Sequence, residues 1–401
     1  LLHAAAPARA LAQDAAIGFG EARASAERLA PLVRLAGKRM GIARAQVDVA
    51  GMLANPTFTV QSATKTAHLG TFVSVPLPLF GQRGTSMDAA RADVAVSQRE
   101  LRMAQSDARF FVTLAWIELW AAQERARFIA LAAVDAQRLL AIANERFDAG
   151  SGARVDVVRT RAGRARADAD VASASAAQHA ASARLAPWLG QERSAELSAR
   201  GEIGFAATLP SLHALLELQA QHPALERDRA QASAADARIR AEQRQRWPTV
   251  NAELGVSQFD PTTPGTDVLG GLSFELPLLN QRGGAIARAR AEKQLAASEE
   301  AADLALLRAE LEAAYREAEG ALAQLQALHD DVLPALLEAR QMSEESYRSG
   351  RMDLLRLLEA QRALLESQIA EVSARAGYGR ALAELERAAG RRLDAGGGDG
   401  G

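Results

Sequence analysis

A chain of 401 residues with a formal net charge of −2, no cysteine and only 4% aromatic residues excludes disulfide scaffolds, thiolate metal sites and thiol catalysis, and gives no reason to expect a nucleic-acid partner. Its Ala-, Arg-, Glu-, Leu- and Gln-rich mixture marks long helices and coiled coils rather than a compact mixed core. No apolar run reaches the roughly 18 residues that a membrane helix needs, and the most apolar one, Phe110 to Ala122, carries Thr113 and Glu118. If this chain crosses a membrane, it crosses with strands.

At the start, Ala10, Leu11 and Ala12 before Gln13 fit the small-x-small end of a signal peptide, so residues 1–12 read as its remnant. Pro31 and Pro56 follow, then Thr57 to Lys65 and Leu69 to Leu77 as a candidate strand pair. The phrase Pro78, Leu79, Gln82, Arg83, Gly84 opens a long helix. In it, Met87, Val94, Leu101, Ala108, Ala115, Ala122, Ile129, Ala136 and Ala143 recur every seventh position, which is the seam of a coiled coil. A helix from Thr85 to Phe147 is roughly 95 Å long at about 1.5 Å per residue. Asp148, Ala149, Gly150, Ser151 and Gly152 end it, with a glycine in the left-handed position. The helical pattern resumes at Val155.

About 200 residues on, the same text returns, and a duplicated unit of that size decides the fold before any single residue does. Pro223 and Pro248 repeat the spacing of Pro31 and Pro56, and Pro277, Leu278, Gln281, Arg282, Gly283 repeat the helix-opening phrase. The second long helix carries a double stripe, Leu304, Leu307, Leu311, Ala314, Ala318, Ala321, Leu325, Leu328, Val332, Ala335, Ala339 and Met342, with both seam positions apolar. Pro334 predicts a kink. Tyr347, Arg348, Ser349 and Gly350 end this helix, and Leu354, Leu355, Leu357 and Leu358 resume the pattern. Repeats therefore span 20–200 and 201–390, with hairpins of helix over about 85–190 and 285–388. A Gly-rich tail occupies 391–401.

In the second strand pair Val250, Ala252, Leu254 and Val256 alternate with polar residues, and Leu272, Phe274 and Leu276 do the same on the return. Each segment is close to the roughly 9 to 11 residues of a tilted membrane strand, with Trp247 and Phe259 at its two ends. The alternation would look the same in a water-soluble hairpin packed on helices, but the end of a long rod offers no core to lie on. Four strands also fall short of the roughly eight in the smallest membrane barrel, so several chains must contribute.

These features together resemble the TolC-like outer-membrane factors of Gram-negative bacteria, the exit ducts of tripartite efflux and type I secretion. The resemblance covers about residues 20 to 390 and rests on the duplicated order, the Arg146, Phe147, Gly150 and Tyr347, Gly350 tips, and Leu357 to Gln361. It implies a mainly α fold of duplicated hairpins and four strands per chain, three chains closing a 12-stranded barrel in the outer membrane above a helical tunnel in the periplasm. An equatorial region would come from Gln191 to Pro210 and the chain ends. The Pro76 to Arg83 phrase looks most like the branch that serves heavy-metal cation pumps of the resistance-nodulation-division type, with drug, solute or protein export as the competing cargo. The implied partners are two further copies, a periplasmic adaptor, the inner-membrane pump and outer-membrane lipid.

No catalytic constellation, cofactor motif or paired histidines stand in the sequence, so neither enzyme chemistry nor a bound metal is expected. The family's tip network maps onto Asp156, Tyr347, Arg351, Arg356 and Glu359 as the periplasmic gate. Arg356 stands where the best-known members carry an acid, and Met352 stands where an arginine is expected. Asp156 is expected to pair with Arg351 or Arg356. Gly150, Arg154, Val155, Gly350, Leu354 and Leu355 are the candidates for docking the adaptor. A periplasmic adaptor or scaffold is the rival from another class; adaptors carry one hairpin and many short strands, whereas this chain has two hairpins and few strands.

Overall fold

The computed structural model describes residues 15–62, 69–191, 196–203, 208–258, 265–349 and 351–393. Phe259, Gly350, residues 1–12, most of the loop from Asp260 and the Gly-rich tail from 394 lie outside them. The chain divides into two compact units that do not follow the repeats, since each unit takes segments from both halves.

The unit formed by residues 35–103 and 223–305 holds a four-stranded antiparallel sheet. Its strands are β2 (Thr57–Gln61), β3 (Leu69–Leu77), β5 (Thr249–Gln258) and β6 (Thr266–Glu275), in the order β2-β3-β5-β6. The two expected pairs are thus joined into one sheet by β3 and β5, which run in register from Leu69 opposite Gln258 to Leu77 opposite Val250. Because side chains alternate along a strand, registered pairs assemble faces. Phe58, Val73 and Leu254 lie side by side, as do Val75, Ala252 and Leu272. Most of this apolar face is open: Phe58, Val60, Val73, Leu254, Leu272 and Phe274 are all exposed. The opposite face is mostly polar, with the Ser273 hydroxyl 2.7 Å from Glu253 Oε1, and carries Phe72 and Leu269 on either side of Gly255. Strands β2 and β6 are the sheet's two edges.

The other unit is formed by residues up to Arg34, 104–222 and from Leu306. It contains the short parallel pair β1 (Ala15–Gly18) and β4 (Leu197–Arg200), helix α1 (Phe19–Leu29), and most of the two hairpins of helix. Trp116, 1% exposed, anchors β1 by donating its indole N–H to the Ile17 carbonyl at 3.0 Å. Gln123 Oε1 accepts from the Ala199 N–H and the Ser182 hydroxyl oxygen from the Leu197 N–H. A strand of four residues is held here by side chains of neighbouring helices.

Helix α3 (Gln82–Asp148) is unbroken over 67 residues, and each of the nine predicted seam positions along it is buried or half-buried. Helix α4 (Arg154–Leu185) returns from it. In the second half, the predicted seam holds along α7 (Gly283–Gln326) and on to Leu328. Beyond that point the prediction fails. Val332, Ala335, Ala339 and Met342 are exposed, and the positions one residue later, Leu333, Leu336, Arg340 and Ser343, are half-buried instead. The cause is a π-helical stretch over Ala327–Val332, where the Leu333 N–H reaches back five residues to the Leu328 carbonyl. Pro334 has no N–H to donate, and the wider turn takes up the interruption where a plain kink was expected. One extra residue rotates everything after it, so α8 (Leu333–Arg348) presents a shifted face that ends in Tyr347.

Candidate functional site

The two hairpin tips share one backbone bond that reaches back five residues. At the first, Gly150 has φ 70, its N–H bonds to the Phe147 carbonyl, and the Ser151 N–H bonds to the Arg146 carbonyl at 2.9 Å. These are the two bonds of a Schellman motif, which satisfies carbonyls that a helix end leaves open. At the second, the Arg351 N–H bonds back to the Ser346 carbonyl at 2.9 Å. Helix α9 (Leu354–Ala389) then begins with Asp353 as its cap, one carboxylate oxygen accepting from the Arg356 N–H at 3.1 Å. Helix α4 has Ala153 at its cap position and so begins without a side-chain cap.

A second tip glycine, Gly152, is under tighter constraint than Gly150. A Cβ at Gly150 would meet nothing within 4 Å, whereas one at Gly152 would lie 2.9 Å from the Phe147 backbone nitrogen. Gly150→Ala is expected to cost about 1–2 kcal/mol from the left-handed backbone alone. Gly152→Ala should open the turn further, seen as faster amide hydrogen exchange at Ser151. Equal exchange in the two variants would contradict this packing.

The phase of each helix decides which predicted residues can meet a partner. Tyr347 is 7% exposed and packs with Leu139, Leu354 and Leu357, flanked by Ile142 and Leu358. The Arg146 guanidinium lies 5.1 Å from the centre of its ring. Leu354, expected on the docking surface, is 5% exposed in the same cluster and is a packing residue, because the Asp353 cap sets a phase that turns it inward. Leu355, Val155 and Arg154 point outward, and Phe147 and Val158 join them as exposed apolar side chains.

Of the gate residues, Arg351, Arg356 and Glu359 are exposed and Asp156 is half-buried. Arg351 donates from Nε to the Ser349 hydroxyl at 2.9 Å. Among the described residues of one chain, Asp156 forms no ion pair with Arg351 or Arg356. An ion pair also joins the two hairpins. Arg340 lies 3.5 Å from Asp135 of α3 and 4.0 Å from Glu344. The predicted heptad positions beside Arg340 were Ala339 and Met342, so only the register shift brings it inward. Among the described residues no cluster of His, Asp or Glu could hold a metal ion, and no helix is long and apolar enough to cross a membrane.

A family model described as outer membrane efflux protein matches residues 22–191 and 214–391. The cobalt-zinc-cadmium resistance protein CzcC of Cupriavidus metallidurans is 24% identical over 337 residues, covering 83% of this chain and 80% of that protein. The outer membrane protein VceC from Vibrio cholerae superposes with a TM-score of 0.71 at 18% identity, over 93% of this chain and 96% of that one. CusC, whose crystal structures describe folding and transmembrane channel formation, gives a TM-score of 0.73 at 17% identity, over 93% and 92%. The fold these likenesses carry is that of duplicated hairpins of helix with short strands.

Proposed function

The chain belongs to the outer membrane efflux protein family, and from that premise we propose that it is the exit-duct subunit of a tripartite efflux system driven by a pump of the resistance-nodulation-division type. Three copies form a passive channel in the outer membrane, fed through a periplasmic adaptor and exporting heavy-metal cations. The observation that carries this reading is the sheet: four strands with two edges and one apolar face that is mostly exposed. Unpaired edges and an exposed apolar face call for neighbours and lipid. Strands from three copies would supply both closure and an outer band. The channel performs no chemistry, and the pump supplies the energy. The cargo rests on the relative named for cobalt, zinc and cadmium resistance. In a host lacking its own exit duct, this chain with its cognate pump and adaptor should restore growth in zinc or cobalt. Protection against organic solutes alone would replace the metal cargo.

For the gate, Asp156 would meet Arg351 or Arg356 of a neighbouring copy, since it meets neither within its own chain. An exposed pair is worth up to ~1 kcal/mol, so three of them bias closure by up to ~3 kcal/mol, on the order of 100-fold in the open population. Asp156→Arg is therefore expected to raise conductance in a planar bilayer. Unchanged conductance would remove Asp156 from the gate. The docking surface for the adaptor would be the outward set Arg154, Val155 and Leu355, with Leu354 beneath it as support.

A further inference from the structure

We infer that the end of helix α9 forms a binding site for a tetrahedral oxyanion, phosphate or sulfate, separate from the tips and the strands. A small cavity of ≈ 20 Å³ lies between α1, α3, the last turns of α9 and the residues that follow it, and is lined by Arg23, Arg109, Arg387, Arg391 and Arg392 and by one acid, Glu386. Such a volume admits one small guest centre, and the open side leaves room for the rest of an oxyanion. Guanidinium groups are the side chains best matched to the paired oxygens of phosphate and sulfate.

The charges around the cavity do not cancel. Arg23 pairs with Glu386, Arg109 with Glu27 at 3.1 Å and Arg387 with Asp107 at 3.3 Å. Glu386 is further occupied, its other oxygen accepting the Leu393 N–H at 3.1 Å. Arg391 and Arg392 have no ion pair among the described residues, and both are exposed. The α9 carbonyl end adds a partial negative charge, which leaves the balance positive. Arg387 is fixed in place by the Phe110 ring, 4.7 Å from its guanidinium carbon.

An independent sign of a missing partner is Thr113, which also lines the cavity. It is 3% exposed and its hydroxyl has no hydrogen-bond partner among the described residues. Other helical threonines of this chain satisfy themselves by bonding back to a carbonyl, as Thr160 does to Asp156 at 2.8 Å and Thr85 to Gly81 at 3.1 Å. Thr113 does not, and a buried hydroxyl without a partner is costly. An oxygen of the anion in the cavity would accept its proton. The anion would thereby tie the chain beyond Gly390 to α1 and α3.

Titration calorimetry of the purified full chain in detergent with sodium phosphate, at constant ionic strength in chloride, tests the site. Saturable binding at one anion per chain is expected, with sulfate competing. The exposed double variant Arg391→Ala/Arg392→Ala should bind at least about tenfold more weakly, as loss of charge-assisted bonds requires. Thr113→Val should bind several-fold more weakly, both variants retaining the wild-type helical circular dichroism. No saturable heat, equal affinity in the double variant, or displacement by chloride at matched concentration would overturn the site.

Discussion

Gly255→Ala is expected to abolish assembly of the membrane part of this channel. Gly255 sits opposite Phe72 in the β3–β5 register, and the Phe72 ring lies where a side chain would be. An added Cβ would stand 2.3 Å from Phe72 Cδ1 and 2.7 Å from the Thr71 carbonyl oxygen. The ring can rotate aside, but the carbonyl belongs to the ladder that joins the two halves of the sheet. Overpacking of this kind costs typically about 1–3 kcal/mol, and in the channel of three copies proposed above it would enter three times around one closed ring. The expected readout is loss of heat-resistant oligomers from the outer-membrane fraction. Phe72→Ala/Gly255→Ala should recover only part of it, since the backbone contact stays. Wild-type oligomers from Gly255→Ala would mean that β3 and β5 are not paired in this register.

That β3–β5 pair also marks the limit of what could be read ahead of the structure. Alternation at period two located the strands, because it reports which face is apolar. It carries no information on which distant strand is the neighbour. The seam of α3 was fully legible, since a heptad is a direct record of the contact line. The seam of α8 was not, because the pattern shows Pro334 but not how the helix absorbs it. One π-helical stretch shifts the face by a residue and thereby buries Tyr347 and brings in Arg340. The same holds at the tips. The run Leu354, Leu355, Leu357, Leu358 is uniformly leucine, and only the phase set by the Asp353 cap separates packing Leu354 from outward Leu355. The strands β1 and β4, four residues each, are too short for any pattern and exist through Trp116, Gln123 and Ser182.

Arg227→Met is expected to destabilise the unit that carries the strands by about 3–5 kcal/mol near neutral pH, the usual cost of leaving a buried charge without its partner. Helix α6 (Pro223–Arg244) places Asp228 at 0% side-chain exposure, with Arg227 Nη2 2.6 Å away and also 3.0 Å from Asp303. Adjacent residues on a helix normally diverge, so Arg227 must fold back to reach both acids. Burial pushes the Asp228 carboxyl above its ordinary value of 3.8, the hydrogen bond and charge of Arg227 oppose this, and the nearby Asp303 adds to the rise. A raised acid binds its proton more tightly in the folded than in the unfolded chain. Stability from this group is therefore greatest at acid pH and falls as pH rises from the unfolded value through the folded one. Without Arg227 the carboxyl moves higher still, so the deficit of Arg227→Met relative to wild type should be smaller at pH 5 than at pH 8 in thermal unfolding. Arg227→Met/Asp228→Asn, which removes the stranded charge at constant shape, should recover most of the loss at pH 8 and depend little on pH. An Arg227→Met deficit that is equal at the two pH values, or that Asp228→Asn leaves untouched, would show that Arg227 acts through packing on Met103, 3.8 Å from its Nη1, and not through the buried acid.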